Sequence, residues 1–150
     1  MCGAHATVRG FLGELVTRSR EAYDIVVDME AGLEHLSRGT GKHVSRFVAV
    51  VEPYYRSMET ARRIAVLASE LGVRRVEAVT NKIRSDADRD AVQAYCMHHG
   101  LPVIGEIPYD ESLSEAERAG RPPLEFGPDS PAMTAIRRLA DSLLRPGAAA

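Results

Sequence analysis

Residues 23–40, YDIVVDMEAGLEHLSRGT, decide the fold of this 150-residue chain. Ile25, Val26 and Val27 are contiguous β-branched residues, as expected for a strand buried on both faces of a sheet. We therefore predict a strand over 24–28 that ends in Asp28. A carboxylate at the end of a buried parallel strand lies at the rim where α/β folds bind ligands. The segment indicates an α/β protein with a ligand site near Asp28.

Asp28 is followed four residues later by Gly32, which gives the pattern Asp-x-x-x-Gly. A glycine at that distance lets the backbone approach a ligand closely. In nucleotide hydrolases, this pattern is typical of a water-bridged Mg²⁺ site and a sensor of the γ-phosphate. A plain strand followed by an acidic turn would produce the same residues, so this segment alone leaves both interpretations open.

The composition argues against several kinds of partner. The 19 Lys and Arg residues nearly balance the 21 Asp and Glu residues, which gives no electrostatic basis for binding nucleic acid or an anionic membrane. No apolar run approaches the roughly 20 residues of a membrane span. Two distant cysteines, Cys2 and Cys96, without a secretory signal favour a reducing cytoplasm over a disulfide scaffold.

The rest of the chain alternates strands and helices. Because the strands are hydrophobic without alternation, we predict a mostly parallel sheet with helices on both faces. We expect one domain over 1–146 and a disordered tail over 147–150. Ser57, Ser85 and Ser130 are predicted to open helices. Besides 24–28, strands are predicted at 47–51, 75–80 and 102–107, helices at 4–18, 57–71, 85–98, 111–119 and 130–145, a loop at 33–42, and an extended, non-helical segment at 121–128.

Polar or turn-forming residues follow three of the predicted strands, and so fall at one edge of the sheet. They are Asp28 to Gly32, then Asn81 with Lys82, then Pro108-Tyr109-Asp110. The amide of Asn81 offers a donor and an acceptor that match a purine edge. An extended backbone at 108–110 would read a base through its amides and carbonyls. Asn81 as a turn residue and Pro108 as a simple strand stop remain the alternatives.

Four motifs carry a resemblance to a known family. They are DMEAGLEHLSRGT at 28–40, VVEPYYRSMETARRI at 50–64, TNK at 80–82 and IPYD at 107–110. Together they resemble the CooC family, MinD-like P-loop ATPases that help to insert nickel into carbon monoxide dehydrogenase. The resemblance covers nearly the whole chain. It implies a cytoplasmic homodimer that binds ATP or ADP with Mg²⁺ and has that dehydrogenase as its client.

The resemblance also implies roles for individual residues. Asp28 would hold Mg²⁺ through water and Gly32 would sense the γ-phosphate. Asn81 and Lys82, together with Pro108, Tyr109 and Asp110, would form the adenine side of the site.

The chain departs from this family in its phosphate loop. G-x-x-x-x-G-K-[ST], whose backbone amides and lysine hold the phosphates, does not occur in the sequence. Gly39 to Lys42 follows the predicted Asp28 strand and lacks the required spacing. The chain therefore resembles roughly the last three-fifths of such an ATPase, and we expect no ATP hydrolysis by it alone. We further expect a cysteine codon just before Met1, and a glycine-rich loop about a hundred residues upstream.

The cysteines of the chain are its second departure from the CooC family. The family carries a Cys-x-Cys pair, with which two subunits bind one metal, and four thiolates suit Zn²⁺ or a nickel cargo. Here Cys2 stands at the second position, so a homodimer would supply two sulfurs to Zn²⁺ or Ni²⁺ at its interface. Cys96 is predicted to be a core residue, and His98 and His99 a solvated helix end.

Two other functions compete with an ATP-dependent metallochaperone. One is a non-catalytic dimerisation or interaction domain that has degenerated from a MinD/ParA ATPase. The other is a MinD/ParA positioning ATPase, which the core-like final helix disfavours. A nicotinamide-binding enzyme is disfavoured because no G-x-G-x-x-G follows a predicted strand.

Overall fold

The computed structural model describes residues 7, 10–11, 13–15, 24–29 and 44–144. Residues 7, 10, 11 and 13–15 are helical, in agreement with the helix predicted over 4–18. The elements that follow are β1 (Phe47–Val51), α1 (Tyr55–Glu70), β2 (Val76–Ile83), α2 (Asp86–His98), β3 (Val103–Pro108), α3 (Glu111–Arg118), α4 (Pro123–Phe126) and α5 (Pro131–Leu144).

The three strands form a parallel sheet in the order β1-β2-β3. Phe47 pairs with Val76 and Val51 with Thr80, so the carboxyl ends of β1 and β2 meet at one edge. A helix connects each pair of successive strands, as parallel pairing requires. The predicted α/β class and parallel sheet are confirmed.

The two faces of the sheet are covered by different helices. Ala49, Val51 and Ala78 point toward α1 and α2, and all three are buried there. The opposite face receives α5, whose Leu139 Cδ1 would lie 3.2 Å from a Cβ at Gly105. Gly105 pairs with Val79, the residue that follows Ala78 and points to the other side. Helices therefore lie on both faces, as predicted.

The helix termini largely follow the sequence signals. Ser85 is the N-cap of α2, and its side chain accepts a hydrogen bond from the backbone N–H of Asp88 at 3.1 Å. Ser130 precedes Pro131, the first residue of α5, and its Oγ accepts from the backbone N–H of Met133 at 3.4 Å. Gly72 follows α1 with φ 77°, the left-handed conformation expected of a terminating glycine.

The prediction for Ser57 is wrong in detail. α1 begins at Tyr55 with Tyr54 as its N-cap. The Ser57 hydroxyl instead accepts a hydrogen bond from the backbone N–H of Glu52 at 2.9 Å, which fixes the turn after β1.

The predicted strand over 24–28 is not part of the described sheet. Residues 24–29 have no regular secondary structure, and Val26 is 90% exposed. β-branched residues favour a strand only where a neighbouring strand supplies hydrogen bonds and packing. In the described sheet β1 pairs with β2, and 24–28 takes no place beside them. β1 itself is not buried on both faces, because Val50 is 59% exposed.

The expectation that 121–128 contains no helix is also wrong. Pro123–Phe126 form a single helical turn, α4. Proline lacks an N–H but is tolerated in the first turn, where that donor needs no partner. The backbone N–H groups of Glu125 and Phe126 both donate to Pro122 O at 3.0 Å.

Two further predictions lie outside the described residues. They are the loop over 33–42 and the disordered tail over 147–150.

Candidate functional site

The carboxyl ends of the three strands form the candidate site. β2 extends to Ile83, so Asn81 and Lys82 lie within its last residues rather than after it. Asn81 is partly exposed and Lys82 is exposed, between Thr80 and Ile83, which are both buried. This places the predicted base-reading amide at an open edge that is anchored on each side by the core.

The pairing of β2 with β3 is irregular at this point. Thr80 pairs with Glu106 and Ile83 with Pro108, and the register shifts between the two pairs. Lys82 has φ 57° and is the only non-glycine residue with positive φ in the part of the chain that the structure describes. The strand therefore ends in a bulge around Asn81 and Lys82.

A salt bridge holds Lys82 to the end of the neighbouring strand. Lys82 Nζ lies 2.9 Å from Glu52 Oε1, and Glu52 follows β1 directly. Glu52 raises the pKa of Lys82 above its ordinary value by this hydrogen bond and by charge attraction. Glu52 is itself fixed, because its carbonyl accepts the Tyr54 N–H at 2.8 Å and its amide donates to Ser57.

Tyr109 lies beside the bulge and is held on three sides. Its backbone N–H donates to Ile83 O at 2.9 Å, which continues the link between β2 and β3. Its hydroxyl donates to a Glu111 carboxylate oxygen. The Arg84 guanidinium lies 3.4 Å from the centre of its ring, a cation–π contact. The segment after β3 is therefore an ordered wall of the candidate site.

The side chain of Asp110 is occupied by helix amides. Its Oδ1 accepts from the Ser112 N–H at 3.0 Å and the Ser112 hydroxyl at 2.6 Å, and its Oδ2 accepts from the Ala132 N–H at 3.0 Å. These bonds, led by that from the Ser112 hydroxyl, lower the pKa of Asp110 to about 2. Any recognition of a base at 108–110 would thus rely on Pro108 and the backbone rather than on this carboxylate.

Of the other predicted site residues, the structure describes only Asp28. Met29 packs against the cluster of Phe47, Ala68 and Val73, at the amino end of β1. Asp28, the residue before Met29, is exposed and has no regular secondary structure. Gly32 and Cys2 lie outside the described residues.

The described residues contain neither a cluster of metal ligands nor a membrane-spanning helix. Within the described ranges, no group of three or more His, Cys, Asp and Glu residues is arranged to hold a metal ion. Cys96 is fully buried, as predicted, and burial raises the pKa of its thiol. No helix in the described part of the chain is long and apolar enough to cross a membrane.

Comparison with known proteins shows which proteins the chain resembles. The chain is 37% identical over 120 residues to the carbon monoxide dehydrogenase accessory protein CooC of Rhodospirillum rubrum, a match that covers 80% of this chain and 44% of that protein. It is 32% identical over 146 residues to an uncharacterized ATP-binding protein of Methanocaldococcus jannaschii, covering 97% of this chain and 54% of the relative. The sequence of the chain is therefore CooC-like.

Solved structures agree on the fold of this CooC-like chain. The MinC:MinD cell division complex of Aquifex aeolicus matches with a TM-score of 0.72 at 22% identity, over 93% of this chain and 59% of that one. The septum site-determining protein MinD of Pyrococcus horikoshii, complexed with Mg-ADP, matches with a TM-score of 0.68 at 19% identity, over 91% and 57%. No family model matches the chain. The chain spans about half the length of the curated relatives it matches.

The sequence did not predict two features of the edge. The Glu52–Lys82 salt bridge joins the residue after β1 to a residue of β2 that lies 30 positions later, and positive φ at a lysine has no sequence signature. The N-cap role of the Asp110 side chain was also not predicted, although an Asp directly before a predicted helix is a recognisable N-cap signal.

Proposed function

We propose that this chain is the base-recognising part of an ATP-dependent accessory protein that supports nickel insertion into carbon monoxide dehydrogenase. The observation that carries the proposal is the 37% identity to CooC over 120 residues. The ordered edge around Asn81 and Tyr109 supports it, because an amide and an extended backbone are the groups that read a purine. The natural protein would work as a cytoplasmic homodimer.

The roles within the proposed site are divided between the strands. Asn81 binds the edge of adenine, and Pro108 and Tyr109 line the pocket beside it. Asp28 holds Mg²⁺ through water and Gly32 senses the γ-phosphate, once residues 24–28 are paired as a strand in the full-length protein. Cys2 from each of two subunits contributes to a Zn²⁺ or Ni²⁺ site between them. Residues 1–146 of this chain form the C-terminal part of the nucleotide-binding domain.

Adenosine is the sharpest probe of this proposal, because it carries no phosphates and so does not depend on a phosphate loop. Titration of ¹⁵N-labelled chain with adenosine should shift the side-chain amide signal of Asn81 and the backbone signal of Tyr109. Asn81→Ala should abolish binding, whereas Gln93→Ala, which removes an exposed amide from α2, should not. Adenosine binding that survives Asn81→Ala would overturn the assignment.

The client is tested separately. The natural full-length protein, immobilised, should bind purified nickel-free carbon monoxide dehydrogenase, and this chain should compete with it if it carries the docking surface. A failure of the full-length protein to bind or activate the dehydrogenase would favour the interaction-domain alternative with a different partner.

A further inference from the structure

The bulge at the end of β2 reverses the alternation of the strand. Ala78 and Ile83 belong to the same buried cluster, together with Val92 and Cys96. They are five positions apart, so in a regular strand they would point to opposite faces of the sheet. The bulge removes this conflict, because one extra residue returns Ile83 to the face of Ala78.

The same bulge determines how Asn81 is presented. Thr80 is fully buried and Ile83 is 5% exposed, so both ends of the bulge are fixed in the core. Between these two anchored residues, the direction of the Asn81 side chain depends on the backbone conformation of Lys82. The positive φ of Lys82 therefore determines the direction of the Asn81 side-chain amide.

A positive φ is unfavourable for a lysine residue unless other contacts stabilise it. Residues with a Cβ are rarely found with positive φ, because the Cβ crowds the backbone. Lys82 is 58% exposed by its side chain, so packing does not force it into this conformation. Its specific restraint is the salt bridge to Glu52, at 2.9 Å. The backbone N–H of Glu52 donates in turn to the Ser57 hydroxyl, and Glu52 follows β1 directly. The position of Glu52 therefore does not depend on β2.

We propose that Glu52 is a positioning residue for base recognition: through Lys82 it holds the left-handed bulge that aims Asn81. This inference rests on the proposed function, in which Asn81 reads the base. It assigns a role to Glu52 within the segment VVEPYYRSMETARRI, which the nucleotide site otherwise leaves unused. Glu52 itself does not touch the ligand.

The first experiment needs no ligand. In ¹⁵N spectra of the full chain, Glu52→Gln should shift the Asn81 side-chain amide and increase the exchange rate of the Lys82 and Ile83 backbone amides. Asp129→Asn, which breaks an exposed ion pair with Arg137 at 3.4 Å, is the matched control and should leave them unchanged. Unchanged Asn81 and Lys82 signals in Glu52→Gln would overturn the inference whatever adenosine does.

A pair of variants at Lys82 separates positioning from charge. Lys82→Ala removes the salt bridge and keeps a Cβ, so the bulge should relax and Asn81 should shift as in Glu52→Gln. Lys82→Gly also removes the salt bridge, but glycine accepts positive φ freely, so the Asn81 signal should stay close to that of the wild type. Equal effects of the two variants would mean that the lysine charge, not the bulge, matters.

Adenosine titration then connects the inference to recognition. Glu52→Gln and Lys82→Ala should weaken adenosine binding by about threefold or more, the scale of a broken ion pair, and Lys82→Gly should weaken it less than Lys82→Ala. If Asn81→Ala abolishes binding while Glu52→Gln leaves it intact, only the positioning role fails. If Asn81→Ala has no effect, or adenosine does not bind the wild type, the proposed function fails.

Discussion

Asp110 Oδ2 accepts a hydrogen bond from the backbone N–H of Ala132 at 3.0 Å, across 22 positions of sequence. The other oxygen of the same carboxylate accepts from the Ser112 N–H at 3.0 Å. One side chain thus caps the amino ends of two helices, α3 and α5, and also lies in the favourable field of both helix dipoles. The end of β3 is thereby joined to the helix that covers the far face of the sheet.

Asp110→Ala should lower the free energy of unfolding by about 1–2 kcal/mol, because each helix loses an N-cap acceptor. Asp110→Asn should cost less, since the amide retains one acceptor oxygen. Urea denaturation followed by circular dichroism measures both. Asp129→Ala is the control, because Asp129 is 94% exposed by its side chain. Equal losses in the Asp129 and Asp110 variants would show that the double cap does not stabilise the protein.

The Asp110 carboxylate also makes the stability of the protein depend on pH in the acid range. Its pKa of about 2 lies below the ordinary value of 3.8, so the folded state favours the ionised form. This contribution to stability is fully present above the ordinary pKa and is lost as the pH falls from about 4 to about 2. The difference in urea midpoint between the wild type and Asp110→Asn should therefore shrink over this interval. A difference that stays constant would contradict the assigned pKa.

Thiol reactivity distinguishes the two cysteines. Cys96 is fully buried and burial raises the pKa of its thiol, so little thiolate is available for reaction. Ellman's reagent should not label Cys96 in the folded protein and should label it in urea. With Cys2→Ser the folded protein should therefore show no fast-reacting thiol. Rapid labelling of this variant in buffer would mean that the α2 helix opens readily.

Nucleotide affinity should be low in the isolated chain. The phosphates provide much of the binding energy in P-loop proteins through backbone amides and a lysine, and this sequence contains no such loop. Calorimetric titration with Mg·ATP should therefore detect weak binding or none, and a phosphate-release assay should show no turnover. Sub-micromolar binding or steady release of phosphate would contradict this expectation.

The sequence predicted the parts of the fold that depend on local patterns. The hydrophobic run predicted β1, and the capping box predicted α2. The position of Gly72 after the apolar stripe of α1 predicted that this helix ends there. These signals suffice because each residue type favours the observed backbone by itself. The same reasoning succeeded for the burial of Cys96, which follows from its helical spacing with Val92.

The remaining features depend on partners that are distant in sequence. The 24–28 segment has strand propensity, but a strand forms only beside another strand, and 24–28 pairs with none in the described sheet. The bulge at Lys82 arises because Ala78 and Ile83 must share one core. The direction of Asp110 depends on Ala132, which the sequence alone does not bring near.

A chimaera tests the central claim, that this chain belongs to the nucleotide site of an ATPase. It would join this chain to the part of Rhodospirillum rubrum CooC that the chain does not match, where the family resemblance predicts the phosphate loop. We predict Mg²⁺-dependent ATP hydrolysis by the chimaera, lowered more than about tenfold by Asp28→Asn, because Mg²⁺ loses a charged partner. Asp24→Asn, at an exposed position four residues earlier, should leave the rate unchanged. A folded chimaera that does not hydrolyse ATP, or hydrolyses it equally well with Asp28→Asn, would contradict the account.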